Sequence, residues 1–364
     1  MVQQAVGGGR KAAAVADALR KQIAAGTLIS GAFMPSVRTL ALDFRVAKVT
    51  LNRALKDLEQ DGWVVAHPRH GYRVRMGAGA PDRGLPIAYL NVSRHAVGAG
   101  QDEFHQPLLL AFQRVAARRN WSQLTVATDG LSAGEVVEQV AASNARGAIT
   151  NGIDRAVLQR LRALGIPTVV IDAWSLGTVT DTVLQDGPLG GMQAAVWLAE
   201  RGHRRIGWAG PTTHAIQAIE RWGGAVAGLH QHGLAISPEW VARNVHMRNI
   251  EEVQALLARP ERPSAVIALW ANVAIATARA AANLGLRLGR DLELVGWATA
   301  EEYDSYETSF PDGSVPATVI WRIETLAEIA LARLAERRAH PQLPLARIIL
   351  KTRLRPGKMA CVAS

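Results

Sequence analysis

A chain of 364 residues, 49% of them hydrophobic, is too long for one ordinary domain and carries enough apolar surface for two or three. Its single cysteine, Cys361, rules out an internal disulfide framework and a cysteine-built metal site. The formal charge of +10 is held unevenly: residues 1–84 carry 13 Lys and Arg against 6 Asp and Glu, and the other 280 carry 28 against 25, which makes nucleic acid the natural partner of the N-terminal quarter.

In chain order, residues 1–10 hold a Gly triplet and few large apolar side chains and read as a disordered tail. Residues 12–25 follow a helix period, with Val15, Leu19 and Ile23 four apart, and Gly26 ends the run. A second helical segment covers 35–44, a short turn 45–47, and a third helical segment 48–61, stopped by Gly62. Two β-type runs then flank a turn at 68–71. Helix, turn, helix and hairpin make a winged helix-turn-helix over residues 11–75, which offers one helix to the DNA major groove. Val37, Leu40, Ala41, Val46, Leu51, Leu55 and Leu58 supply its core, Ser36 suits a helix cap, and Lys48, Val49, Asn52 and Arg53 fall near the exposed start of the reading helix.

Residues 76–86, rich in Gly, Ala and Pro, read as a flexible linker. Beyond it strands and helices alternate. Strands are expected at 87–92, 124–128, 148–150, 168–172, 182–185, 205–209, 265–269 and 292–297, with helices at 106–119, 133–143, 154–164, 188–201, 216–232, 250–258 and 272–284. Short continuous apolar strands between helices build parallel sheets covered on both faces. The length of this region, 87–355, calls for two sub-domains, with a ligand beyond the carboxyl ends of the strands. Residues 356–364 form a tail. The start of the chain lacks the apolar core of a signal peptide, and the longest apolar stretch, 265–276, is too short to span a bilayer. The expected location is the cytoplasm.

Residues 27–71 resemble the GntR-type winged helix through Gly31, the run Pro35-Ser36-x-Arg38-x-Leu40-Ala41, Val46, Thr50, Arg53-Ala54-Leu55, Leu58, Gly62 and His70-Gly71. The resemblance implies DNA contacts at the positions of Arg38, Ala47, Lys48, Val49, Asn52, His70 and Gly71; with Ser36, Thr50 and Arg53 they make up the candidate interface. Arg38 and Lys48 would reach phosphate or guanine, and Asn52 adenine. Ala47, Lys48 and Asn52 depart from the residues usual in that family, so the operator cannot be copied from other members.

By Asp186-x-x-x-Gly190, the run Gly202-His203-Arg204-Arg205-Ile206-Gly207, Glu220-Arg221-x-x-Gly224, and Asp291-Leu292-x-Leu294-Val295-Gly296-Trp297, residues 86–355 resemble the LacI/GalR-type effector domain, a relative of periplasmic sugar-binding proteins. The resemblance implies that Arg221 enters the cleft and holds a ligand oxygen; a surface ion pair with Glu220 or Glu200 is the ordinary alternative. The acids usual after two strands are replaced by Ala271 and by Ala298-Thr299. Trp270 and Trp297 end those strands and suit the apolar face of a sugar ring or another flat ligand, unless they fill the core, and Asn272 could replace a carboxylate's hydrogen bonds. Trp174, Gln217 and Phe104 are weaker candidates, and Asp186 is either a ligand contact or a helix cap.

The expected fold class is α/β: an N-terminal winged helix-turn-helix plus a two-lobed periplasmic-binding-protein-like effector domain with parallel sheets. The pairing resembles the chimeric arabinose-repressor arrangement. It implies a ligand-responsive DNA-binding transcription regulator, a repressor whose hold on a double-stranded operator is altered by a small molecule, a sugar or sugar derivative first. The linker composition does not suit a hinge helix, so the signal would pass through the spacing of two winged modules in a homodimer. The ten histidines show no metal spacing, there is no phosphate loop, and no cofactor is expected. A fused aminotransferase-like enzyme would need a cofactor lysine, and residues 87–350 contain none. The alternative is an exported or cytoplasmic small-molecule-binding protein without a transcriptional role.

Overall fold

The computed structural model describes residues 2–24, 27–29, 32–61, 63–67, 71–74, 85–91, 102–152, 154–174, 179–213, 215–311 and 313–358, with side chains from 11 in the first helix and from 106 in the fourth. The wing tip, most of the linker and the end of the C-terminal tail lie outside these.

Helix α1 (Val2–Ala24) is followed by α2 (Val37–Asp43) and α3 (Lys48–Gln60), then by β1 (Val64–His67) and β2 (Gly71–Val74). Leu19, Leu51, Leu55 and Leu58 are fully buried between the helices, with Ile23, Leu40, Val64 and Val74 around them, while Val37 and Val46 are half-buried at the edge. The helix pattern therefore places the core. Helix α1 begins at Val2, upstream of the tail boundary read from the sequence. Periodicity needs large side chains to be visible, whereas an established helix extends with one hydrogen bond per residue. Helix α2 starts at Val37, where the Ser36 hydroxyl accepts from the Thr39 N–H at 3.1 Å. The wing strands run antiparallel from Val64↔Val74 to His67↔Gly71, and Phe33 bridges to Arg73 as a short third edge.

The rest of the chain runs β3 (Pro86–Asn91), α4 (Asp102–Arg118), β4 (Ser122–Ala127), α5 (Ala133–Ala142), β5 (Ala148–Thr150), α6 (Arg155–Ala163), β6 (Thr168–Ile171), β7 (Asp181–Gln185) and α7 (Gly187–Glu200). It continues with β8 (Ile206–Ala209), α8 (Ile216–Gln231), β9 (Val241–Ala242), α9 (Glu251–Leu257), β10 (Ala265–Ala268), α10 (Ala271–Asn283), β11 (Glu293–Thr299) and α11 (Tyr303–Glu307). It ends with β12 (Ala317–Trp321), α12 (Ile323–Ala339), β13 (Arg347–Leu350) and β14 (Arg353–Arg355).

These strands form two six-stranded sheets, ordered β13-β7-β6-β5-β3-β4 and β14-β12-β11-β10-β8-β9, parallel throughout except for β14. The two expected sub-domains are these two sheets with their helices. The chain passes between them three times: after Gln185, after Trp321 and at residues 351–352. Two passages are hydrogen-bonded together, Asp186 N–H to the Leu350 carbonyl at 2.7 Å and the Thr352 hydroxyl to the Asp186 carbonyl at 3.2 Å. At the third, the Glu301 carboxylate accepts from the N–H groups of Ile323 and Glu324 at 3.0 and 3.1 Å. No element is expected from the sequence beyond Trp297, so α11, β12, α12, β13 and β14 are additions, as is the short β9, and with the later ones come two of the three passages. Leu85 is buried in the first lobe's core and Pro86 opens β3, so neither belongs to the linker.

Candidate functional site

Two surfaces answer to the residues singled out from the sequence. The first is α3. Leu51, Ala54, Leu55 and Leu58 face the core, so Lys48, Val49, Asn52, Arg53 and Lys56 occupy the opposite, exposed face. Thr50 is half-buried between the two faces. Ala47 sits at the N-cap without a side-chain hydrogen bond, which leaves the first N–H groups of the helix open to an anion. Arg38 is exposed on α2, and Ser36 is committed to capping that helix. Gly71 has φ +84°, a left-handed conformation that favours glycine at the wing turn. His70 lies outside the described residues.

The second surface lies where the two sheets meet. Glycines let α7 and α8 approach closely: a Cβ on Gly191 would lie 2.0 Å from the Arg221 carbonyl oxygen, and one on Gly224 would lie 2.0 Å from that of Pro188. This contact fixes α8, which carries Gln217, Glu220 and Arg221. Arg221 is 3% exposed. Its Nη1 donates to the Leu269 carbonyl at 2.5 Å, its Nη2 to Gln185 Oε1 at 2.8 Å, and its guanidinium stands 3.7 Å from the Trp297 ring centroid. The indole N–H of Trp297 donates to the same Gln185 oxygen at 3.1 Å. Gln185 Nε2 in turn donates to Asp172 Oδ1 at 2.9 Å, and Gln217 Nε2 donates to Asp172 Oδ2 at 3.0 Å and to the Asp172 carbonyl. Asp172 directly follows β6 and Gln185 ends β7 in the first lobe, whereas Gln217, Arg221 and Trp297 belong to the second. The network therefore ties lobe to lobe.

A second bridge flanks it. Trp174 Nε1 donates to Glu220 Oε1 at 2.7 Å, Arg347 pairs with the same oxygen at 2.6 Å, and the Arg347 guanidinium stands 4.5 Å from the Trp174 ring centroid. Burial pushes the Glu220 carboxyl up from its ordinary value, against the opposing pull of Trp174 and Arg347. Burial pulls Arg221 down to about 9, with Asp172 and Glu220 pulling the other way, so it stays a cation at neutral pH. Burial, and then the charge of Asp172, push the Tyr89 hydroxyl up.

Arg221 Nε, Asn272 Oδ1 and Tyr89 Oη are buried without a hydrogen-bond partner among the described residues. They are a donor, an acceptor and a hydroxyl that can serve as either. Trp270 is half-buried at the N-cap of α10, and Trp297 is 4% exposed, one ring face taken by Arg221 and its edge against Gly190. Asp186 Oδ1 caps α7 through the Leu189 N–H at 3.0 Å. The side chain of Phe104, in α4, lies outside the described residues. Among the described residues no group of His, Cys, Asp and Glu could hold a metal ion, and no helix is long and apolar enough to cross a membrane.

The sequence reading missed Asp172, Gln185, Tyr89 and Arg347. Asp172 and Gln185 were visible in principle, since each is the last residue of an expected strand, at the carboxyl end where ligands bind. Arg347 lies beyond the elements that were read.

Residues 11–74 match the family model of bacterial regulatory proteins of the gntR family, and residues 196–358 match the periplasmic binding protein-like domain. The chain joins a gntR-type head to a periplasmic-binding-protein-like body. The chain is 28% identical over 182 residues to the ribose operon repressor of Haemophilus influenzae, an alignment covering 49% of this chain and 53% of that protein. It is 32% identical over 136 residues to the HTH-type transcriptional repressor PurR of Erwinia tasmaniensis, covering 36% and 40%. The chain thus spans about half the length of these relatives or less. Among solved structures, the regulator CelR in complex with cellobiose shares 19% identity at a TM-score of 0.63, covering 89% of this chain and 99% of that one. The lac repressor dimer bound to operator and an anti-inducer shares 18% at 0.62, covering 77% and 95%. At those identities the likeness is one of fold.

Proposed function

We propose that this chain is a ligand-responsive transcription regulator, a repressor, and not an enzyme. Its gntR-type head holds double-stranded operator DNA through α3 and the wing, and its two-lobed body senses a small molecule. The observation that carries this reading is the buried cation Arg221, held over Trp297 and gripped across the two lobes by Gln185. A charge buried with one donor unpartnered has the form of a binding group rather than a packing group. The relatives support the reading: the ribose operon repressor and PurR are repressors by name, and CelR was solved with cellobiose.

The ligand class we favour is a sugar or sugar derivative. Arg221 Nε would donate to a ligand oxygen, Asn272 Oδ1 would accept from a hydroxyl, and Trp270 would offer an apolar face. Any shift of Gln185 reaches its neighbour Asp186, which is hydrogen-bonded at the passages between lobes. Occupancy would therefore change the angle between the lobes, and in a cytoplasmic homodimer of the arabinose-repressor kind it would change the distance between two heads. Fluorescence anisotropy on a duplex selected from a randomised pool, titrated with neutral sugars, purines and amino acids, tests the reading. A sugar should weaken binding. If a purine alone does so, the sugar class falls and the sensor stands; if no compound shifts the duplex affinity or releases heat in calorimetry, the sensor reading falls.

A further inference from the structure

Val49 sits in the first turn of α3 and is 79% exposed, and among the described residues no other large apolar residue is as exposed. Its neighbours on that face, Lys48, Asn52, Arg53 and Lys56, are polar and exposed, and none engages in an ion pair among the described residues. Arg20, by contrast, is tied to Asp17 and Asp61 on the other side of the module, each at 2.5 Å. The face around Val49 is thus a set of free donors around one pair of methyl groups. A polar residue here would leave the folded module undisturbed, since Val49 contributes nothing to its core.

A helix entering the major groove touches base edges with its N-terminal residues. The groove presents one methyl group, on C5 of thymine, and an apolar side chain is its complement. In a helix Val has one strongly preferred side-chain rotamer, so its methyls are placed in advance and little freedom is lost on contact. The uncapped start of α3 at Ala47, with Lys48 beside it, suits a backbone phosphate and would set how deeply Val49 enters.

We propose that Val49 is the thymine-reading residue of α3, packing its methyls on the C5-methyl of a thymine in the operator. The inference rests on the DNA-binding reading above and adds the base to it. The test starts from duplexes enriched from a randomised pool by the full chain. Each thymine of the enriched site is replaced in turn by deoxyuridine, which deletes the methyl group alone. Affinities are then measured for the wild-type chain and for Val49→Ala, with circular dichroism melts to confirm that the variant folds.

At one thymine position the wild type should lose about fourfold in affinity on replacement, the worth of one buried methyl-sized group, and Val49→Ala should lose nothing there. Equal losses in both proteins, or no sensitive thymine in an enriched site, overturn the inference alone. A pool that enriches no sequence overturns the DNA-binding reading and the inference with it. Val49→Ala weakening thymine and deoxyuridine duplexes equally overturns it too, and assigns Val49 to another contact.

Discussion

The guanidinium of Arg221 lies over the ring of Trp297, and both side chains donate to one atom, Gln185 Oε1. An arginine can be held this way because its planar fork offers two donors along one edge and a flat face for stacking. Lysine cannot do both. Arg221→Lys should therefore keep the charge yet lose the bridge, lowering the unfolding free energy by about 1–3 kcal/mol as buried partners go unsatisfied. Urea denaturation reads that loss, and the ligand titration on DNA should lose its response in the same variant. A lysine variant with wild-type stability and response would show that the bridge is incidental.

The close approach of α7 and α8 predicts opposite signs for neighbouring glycines. Gly224→Ala and Gly191→Ala place a methyl 2.0 Å from a backbone carbonyl oxygen, where no flexible side chain can yield. Each should destabilise by about 1–3 kcal/mol or more. Gly223→Ala, on the same helix, meets nothing within 4 Å and should stabilise by about 0.5–1 kcal/mol through helix propensity. Denaturant midpoints of the three variants check the pattern, and a destabilising Gly223→Ala would contradict it.

The buried triad of Asp181, Arg333 and Arg337 predicts a pH dependence. Asp181 is 1% exposed, accepts from Arg333 at 2.8 Å and from Arg337 at 2.8 and 3.1 Å, and takes the Ala346 N–H at 2.8 Å. Burial alone would raise its carboxyl, but the hydrogen bonds from Arg337, Arg333 and the backbone win and hold it below the ordinary aspartate value of 3.8. A carboxylate with a lowered folded value stabilises above its ordinary value and loses that contribution as the pH falls below it. Urea midpoints should thus fall steeply on acidification below about pH 4. Asp181→Asn, which leaves two buried cations short of a partner, should lose about 3–5 kcal/mol at neutral pH and flatten the acid limb. An Asp181→Asn chain as stable as wild type would remove the triad as a structural tie.

In the body, strands β3 to β8, β10 and β11 and the helices α4 to α10 are legible because each is a local pattern: a short apolar run, or side chains at i and i+4. The same locality explains what was not. Gln185 is adjacent in sequence to Asp186, yet its partners Arg221 and Trp297 lie 36 and 112 residues away. No period or motif announces such a meeting, which follows from two sheets facing each other across three chain passages. Arg221 was found because its helix carries a recognisable run, whereas Asp172 and Arg347 carry none. In the head, by contrast, core and surface are set by one helix period each, and the exposed face of α3 could be read residue by residue.

That face gives the sharpest prediction for DNA. Lys48 and Asn52 are exposed one helical turn apart, and neither belongs to the head's core. Replacing both by alanine should leave the melting transition of the head unchanged, because no buried contact is lost. Binding to an enriched duplex should fall by about 1–3 kcal/mol for the lost base contact of Asn52, and the salt dependence of affinity should drop by about one charge for Lys48. Gel-shift competition with unrelated duplex separates the two effects: losing Asn52 relaxes sequence preference, whereas losing Lys48 weakens all duplexes alike. If the double variant keeps the wild-type preference among competitors, α3 is not the reading helix, and the wing or the flank of α2 around Arg38 takes its place.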